Sequence, residues 1–136
     1  MQQIPPFENG KRYLHISQHY LEHFGEKVYK VSVSVADSCP NRESHNGMAV
    51  CIFCDEWGSA AYHQQRDQPL KTQILINREA IRKRYRAEKF LIYFQAYTNT
   101  YGRFKKLESL YQMALEEKDV VGLVIGTRLV PPVRLP

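Results

Sequence analysis

The alternation of apolar and polar positions changes period several times along the chain, and each change marks an element. Over 11–25, Tyr13, Leu14, Tyr20, Leu21 and Phe24 recur at spacings of three, four and seven, which predicts a leading helix that Gly25 stops. Residues 28–36 alternate valine with small polar residues and predict a strand carrying Val31, Val33 and Val35 on one face. The stretch 37–58 is rich in Ser, Asn and Gly, shows no helical period and reads as one long loop, a feature that usually has a functional reason. Leu70, Ile74, Ile81 and Tyr85 form a helical stripe over 69–87, with Arg78, Arg82, Lys83, Arg84 and Arg86 crowding the rest of its surface. The apolar run over 89–98 suits a parallel strand covered on both faces. Phe104, Leu107, Leu110, Tyr111, Ala114 and Leu115 mark a helix over 104–118, and 120–126 reads as a third buried strand. The ending, 129–136, carries three prolines and reads as an irregular tail.

This order predicts an α/β fold with about three parallel strands joined by right-handed crossover helices, all within a core over 1–128. At 136 residues the chain is short for a closed barrel, which takes about 200 or more. In such sheets ligands collect beyond the carboxyl ends of the strands. That rule brings the 37–58 loop, the Gln95-Ala96-Tyr97-Thr98 segment and Gly126-Thr127-Arg128 to one rim.

Composition narrows the picture only a little. Charged residues at 24% and hydrophobic ones at 43% fit a folded domain and exclude a low-complexity chain. The first residues lack a signal-peptide layout, and no apolar run reaches the roughly 18 residues a membrane span needs, so a cytoplasmic protein without a membrane partner is expected. A net charge of +5 is compatible with an anionic partner such as tRNA but mild for a dedicated nucleic-acid binder. The basic flank Arg78–Arg86 reads first as a solvated face and second as an RNA contact. His15, His19 and His23 lie at i, i+4 and i+8, a spacing that could gather imidazoles around a metal but reads first as a solvated polar stripe, because no carboxylate or cysteine pattern supports a site.

Chemistry enters with the cysteines. Three of them in a reducing compartment do not make a disulfide framework, so metal ligation is the better reading. Cys51 and Cys54 share one tight turn, and Cys39 approaches from the end of the first strand. A two-residue gap serves zinc sites, thiol redox motifs and iron–sulfur clusters alike. Zinc would take His45 or His63 as a fourth ligand and give a non-enzymatic module, binding RNA through Arg78–Arg86. A cluster held by three cysteines leaves one iron open to a ligand. The thiol redox reading is weaker, because the pair does not open a helix whose N-terminus would lower a thiol pKa.

Cys39-Pro40-Asn41-Arg42, then Cys51-Ile52-Phe53-Cys54 and Asp55-Glu56-Trp57-Gly58, together resemble the YhcC-like branch of radical S-adenosylmethionine (SAM) enzymes, relatives of the Elongator-type ones. Phe24-Gly25-Glu26-Lys27-Val28, Tyr93–Thr100 and Gly122–Arg128 extend the resemblance over 12–128. It implies the N-terminal half of a partial (β/α)6 TIM-like barrel. It further implies a 4Fe-4S cluster on Cys39, Cys51 and Cys54, with the amino and carboxylate groups of SAM on the open iron. Reductive cleavage of SAM to a 5′-deoxyadenosyl radical follows, with electrons from a donor such as flavodoxin or ferredoxin. No catalytic residue is assigned beyond the cluster ligands. Phe53 fills the aromatic place before the last cysteine, and Gln95, Tyr97, Thr98, Thr127 and Arg128 are expected to line the SAM pocket, Arg128 facing its carboxylate. Such relatives continue past the Gly-Thr-Arg strand end with further β/α units, so the sequence reads as a truncated enzyme or as a remnant that holds a cluster without cleaving SAM. On that expectation the open sheet edge makes the isolated chain aggregate or require a partner. Sedimentation velocity and a thermal melt check this, and a monodisperse, cooperatively unfolding monomer refutes it.

Overall fold

The computed structural model of the protein describes residues 13–36, 39, 52, 55, 58 and 66–127. Three helices and three strands alternate: α1 (Ile16–Phe24), β1 (Val28–Val33), α2 (Leu70–Tyr85), β2 (Lys89–Phe94), α3 (Phe104–Leu115) and β3 (Val120–Ile125). The strands form one parallel sheet in the order β1-β2-β3, with Val31 beside Ile92 and Ile92 beside Leu123. The chain is thus α/β.

The period-two pattern sorts the sheet's faces. Val31 and Val33 of β1 and Phe90, Ile92 and Phe94 of β2 are fully buried against Leu70 and Ile74 of α2 and Ala114 of α3. Both crossover helices therefore cover the same face, as right-handed connections between successive neighbours require. Lys30 and Ser32 lie beside Leu91 and Tyr93 on the opposite face. As the middle strand, β2 buries Leu91 as well, so its unbroken apolar run follows from its position. α1 leans on β1 with no buried residue; Tyr13, Leu14 and Leu21 of its apolar stripe are exposed, and Tyr20 and Phe24 half-buried. Among the described residues no helix is long and apolar enough to cross a membrane.

Polar side chains of α2 set its height against the sheet. Gln73, 1% exposed, accepts from Ser34 N–H at 2.9 Å and donates to Ser34 C=O at 3.0 Å and Gln68 C=O at 2.9 Å. One amide thus satisfies both backbone groups where the ladder of β1 stops. Asn77 donates to Ser32 C=O one turn further along. Arg78 is buried and donates to Lys118 C=O at 2.7 Å, while Arg82 pairs with Asp119 at 2.9 Å and with Glu79. Two arginines of the basic flank are therefore spent on the turn that feeds β3, and Lys83, Arg84 and Arg86 remain exposed.

Several elements are shorter than the sequence pattern suggests, each for a local reason. α1 begins after His15, whose extended backbone (ψ 128°) precedes the first turn. β1 stops at Val33 because Gln73 takes over the backbone of Ser34. β2 stops at Phe94, three residues before Tyr97 turns into the left-handed region at φ 59°. α3 ends at Leu115, and Asp119 at φ 66° swings the chain into β3. The 129–136 tail and most of the 37–58 loop lie outside the described residues.

Replacing Gln73 by leucine keeps the volume but leaves Ser34 N–H and C=O buried without partners. The expected loss is about 2 kcal/mol or more, read as a lower midpoint in urea unfolding with an unchanged slope.

Candidate functional site at the carboxyl rim of the sheet

Three strand exits meet at one rim, and Asn99 ties those of β2 and β3 together. Its buried side-chain amide donates to Phe94 C=O at 2.9 Å, Ala96 C=O at 3.1 Å and Gly126 C=O at 3.1 Å. Its own N–H reaches Gly126 C=O at 3.0 Å, and Gly126 N–H returns to Phe94 C=O at 2.9 Å. Gly126 is needed for this approach, since a Cβ there would stand 2.9 Å from Phe94 O. Tyr111 of α3 donates its hydroxyl to Asn99 C=O, and burial raises the pKa of that phenol above its ordinary value. Sequence reasoning passed over Asn99 as a functional position; the available signal was a lone amide just beyond an apolar strand.

Both described ends of the cysteine loop dock on the two residues before Asn99. Cys39 is 6% exposed, and its Sγ lies 2.9 Å from Oγ1 of Thr98, which is fully buried. At the other end Gly58 C=O accepts from Tyr97 N–H at 3.1 Å, while Gly58 N–H bonds Asp55 C=O at 3.2 Å. Gly58 has φ +64°, and a Cβ on it would sit 2.5 Å from the Tyr97 ring, so the ring packs flat on a position that only glycine leaves open. The guanidinium of Arg66 stands 5.3 Å above the same ring.

Of the residues expected to form the site, Cys39, Tyr97 and Thr98 are together. Gln95 is half-buried at the exit of β2, with its N–H on Val33 C=O. Thr127, exposed at the exit of β3, shares a hydroxyl–hydroxyl hydrogen bond with Thr100. Cys51, Phe53, Cys54 and Arg128 lie outside the described residues, as do His45 and His63. Among the described residues no group of three His, Cys, Asp or Glu side chains could hold a metal ion. His15, His19 and His23 are exposed on α1, with the rings of His19 and His23 stacked at 6.0 Å.

A Gly58→Ala substitution is expected to cost more than about 1 kcal/mol, from the left-handed backbone and the ring clash together. Adding Tyr97→Ala removes the clash, so the double variant should lose less than the sum of the two single losses, a coupling that chemical denaturation of the four proteins measures.

Comparison with known proteins returns relatives without a stated activity. The chain is 36% identical over 130 residues to "Uncharacterized protein YtqA" of Bacillus subtilis, covering 94% of this chain and 40% of that protein. It is 36% identical over 105 residues to "Protein YhcC" of Escherichia coli, covering 77% and 33%. It is 38% identical over 108 residues to "Uncharacterized protein MJ0486" of Methanocaldococcus jannaschii, covering 77% and 32%. The chain thus spans about a third to two fifths of the length of the curated relatives it matches. No protein-family model matches it, and no solved structure does. These findings correct the assignment to the radical SAM superfamily: no family model supports it, and none of the relatives' names carries it, whereas the likeness to YhcC stands.

Proposed function

We propose, from the donor set and the rim rather than from superfamily membership, that the protein binds a 4Fe-4S cluster through Cys39, Cys51 and Cys54 and takes SAM at the iron those cysteines leave open. The observation that carries this reading is the burial of the Cys39 sulfur at the carboxyl rim of a parallel sheet, with Gly58 at the far end of the same loop docked beside it. Among the described residues, the donor that suits such a group is Cys39. A cysteine sulfur is seated where α/β sheets collect ligands, and Cys39 and Gly58, on either side of the other two cysteines in sequence, both dock on the rim. When bound, the cluster would supply an open coordination site for the amino and carboxylate groups of SAM and the electron that cleaves SAM to a 5′-deoxyadenosyl radical.

The chain's own residues have narrower tasks in this reading. Cys39 would hold one iron of the cluster, its sulfur positioned by Thr98 Oγ1 at 2.9 Å beyond a strand end that Gln73 clamps at Ser34. The Tyr97 ring, flanked by Gly58 and Arg66, would give the rim that carries Cys39 an aromatic wall. Gln95 and Thr127 stand at neighbouring strand exits, where amide and hydroxyl groups can orient a polar ligand. The sheet belongs, on this reading, to the first half of a larger β/α barrel. Support comes from the sequential strand order with both crossover helices on one face, and from an opposite face bearing Lys30, Ser32, Leu91, Tyr93 and Val124. An electron donor of the flavodoxin or ferredoxin kind is the required partner.

The test is anaerobic reconstitution with iron and sulfide. The expected product is brown, with broad absorption near about 400 nm and about four irons per chain; adding dithionite and SAM should release 5′-deoxyadenosine and methionine. Each of Cys39→Ala, Cys51→Ala and Cys54→Ala should abolish stable iron uptake. Zinc bound in place of iron and sulfide overturns the proposal in favour of a zinc-held module binding an RNA such as tRNA, and a brown protein inert toward SAM overturns its SAM-cleavage half.

A further inference from the structure

We propose that Thr98 is a positioning residue for the metal at Cys39, its hydroxyl donating a hydrogen bond that fixes the Cys39 thiolate and lowers the electron density on its sulfur. The inference rests on Cys39 being a metal ligand, and it adds a residue that acts through that ligand. By geometry alone either atom of the 2.9 Å Sγ···Oγ1 contact can be the donor. A cysteine that binds metal does so as a thiolate and has no proton to give. The bond then has one direction, from Thr98 to sulfur.

The geometry around Thr98 is fixed from three sides. Tyr97 occupies the left-handed region at φ 59° and binds Gly58, so the chain kinks and residue 98 faces the sulfur. Asn99 is tied to Phe94, Ala96 and Gly126 immediately afterwards. Thr98 itself is fully buried, and β-branching limits its side-chain rotamers. A hydroxyl held in this way does not reorganise when the metal changes oxidation state. In the low dielectric of a buried site its pull on the sulfur is strong. Hydrogen bonds to the sulfurs of a cluster favour the reduced, more negative state and raise its potential. Thr98 is thus a lever on how readily the bound centre accepts an electron, a role distinct from lining a ligand pocket.

The experiment compares the full chain with Thr98→Val and Thr98→Ser after anaerobic reconstitution, reading iron and sulfide content and the midpoint potential by spectroelectrochemistry. Thr98→Val is expected to hold the same iron and sulfide at a more negative potential, and Thr98→Ser, which restores the hydroxyl, to return to the parent value. A potential unchanged in Thr98→Val, or a Thr98→Ser protein that behaves like the valine variant, overturns the proposal. Cobalt(II) added to the reduced, iron-free chain gives a second reading. Removing the hydroxyl should move the sulfur-to-cobalt charge-transfer band to lower energy, and serine should restore it. A parent chain that takes up no cluster yet shows this cobalt shift sinks the iron–sulfur reading and keeps the role of Thr98. A cluster whose potential ignores residue 98 sinks only the latter, and a chain with neither cluster nor cobalt–thiolate band overturns both.

Discussion

The site depends on one constraint: the three residues after the exit of β2 are each fastened to a different partner, and together they hold the cysteine loop on the sheet. Tyr97 takes Gly58, Thr98 takes Cys39, and Asn99 takes the exits of β2 and β3. The loop begins at the exit of β1 and returns to the exit of β2, so it spans two neighbouring strands of known register. Closing a flexible loop of this length costs several kcal/mol of chain entropy if it scales as a free coil. Docking Cys39 on Thr98 and Gly58 on Tyr97, two adjacent residues, offsets part of that cost.

The helical side of the sheet makes the rim possible. A parallel strand that ends inside a domain leaves backbone groups without ladder partners, and those groups must be satisfied or exposed. Gln73 and Asn77 do this for β1, while Arg78, Arg82 and Asp119 order the turn into β3. The backbone groups where β1 ends and β3 begins are thereby satisfied from the helical side. The two faces differ in composition. Phe90, Ile92 and Phe94 pack at full burial under the helices, whereas Lys30 can lie over the Tyr93 ring, 5.0 Å from its centroid, on the other side.

Element types and order were legible because burial imposes period. Val31 and Val33, Leu70 and Ile74, and Phe90 and Ile92 are core residues in the positions their spacing predicts, and the coarse α/β architecture with three parallel strands follows from them. Boundaries were less legible, since they are set by side chains distant in sequence: the end of β1 depends on Gln73, thirty-nine residues away from Ser34. The charged flank of α2 was read as one surface, yet Arg78 is buried against Lys118 and Glu117, a pairing that no local pattern announces. At the rim, Cys39 and the 95–98 segment could be placed on one edge from topology alone. That Thr98 reaches the sulfur, while Tyr97 packs on Gly58, follows from a left-handed residue that propensity does not foresee in tyrosine. The superfamily resemblance went beyond what the comparisons support, because short motifs around three cysteines carried most of it.

The order of dependence within the rim can be argued from magnitudes. A tyrosine at φ 59° stores strain of about 1–3 kcal/mol, which something nearby must offset. The Asn99 amide shares its two hydrogens among the carbonyls of Phe94, Ala96 and Gly126, and each net hydrogen bond contributes about 1 kcal/mol. Those bonds and the flat packing of the Tyr97 ring on Gly58 are together of the size needed to hold the kink, whereas the single Thr98–Cys39 contact is not. The bracket therefore comes first and the kink second, and the aim of Thr98 at the sulfur is their consequence. A substitution at Thr98 should accordingly leave the rim standing, and this separates the electronic role assigned to its hydroxyl from a structural one.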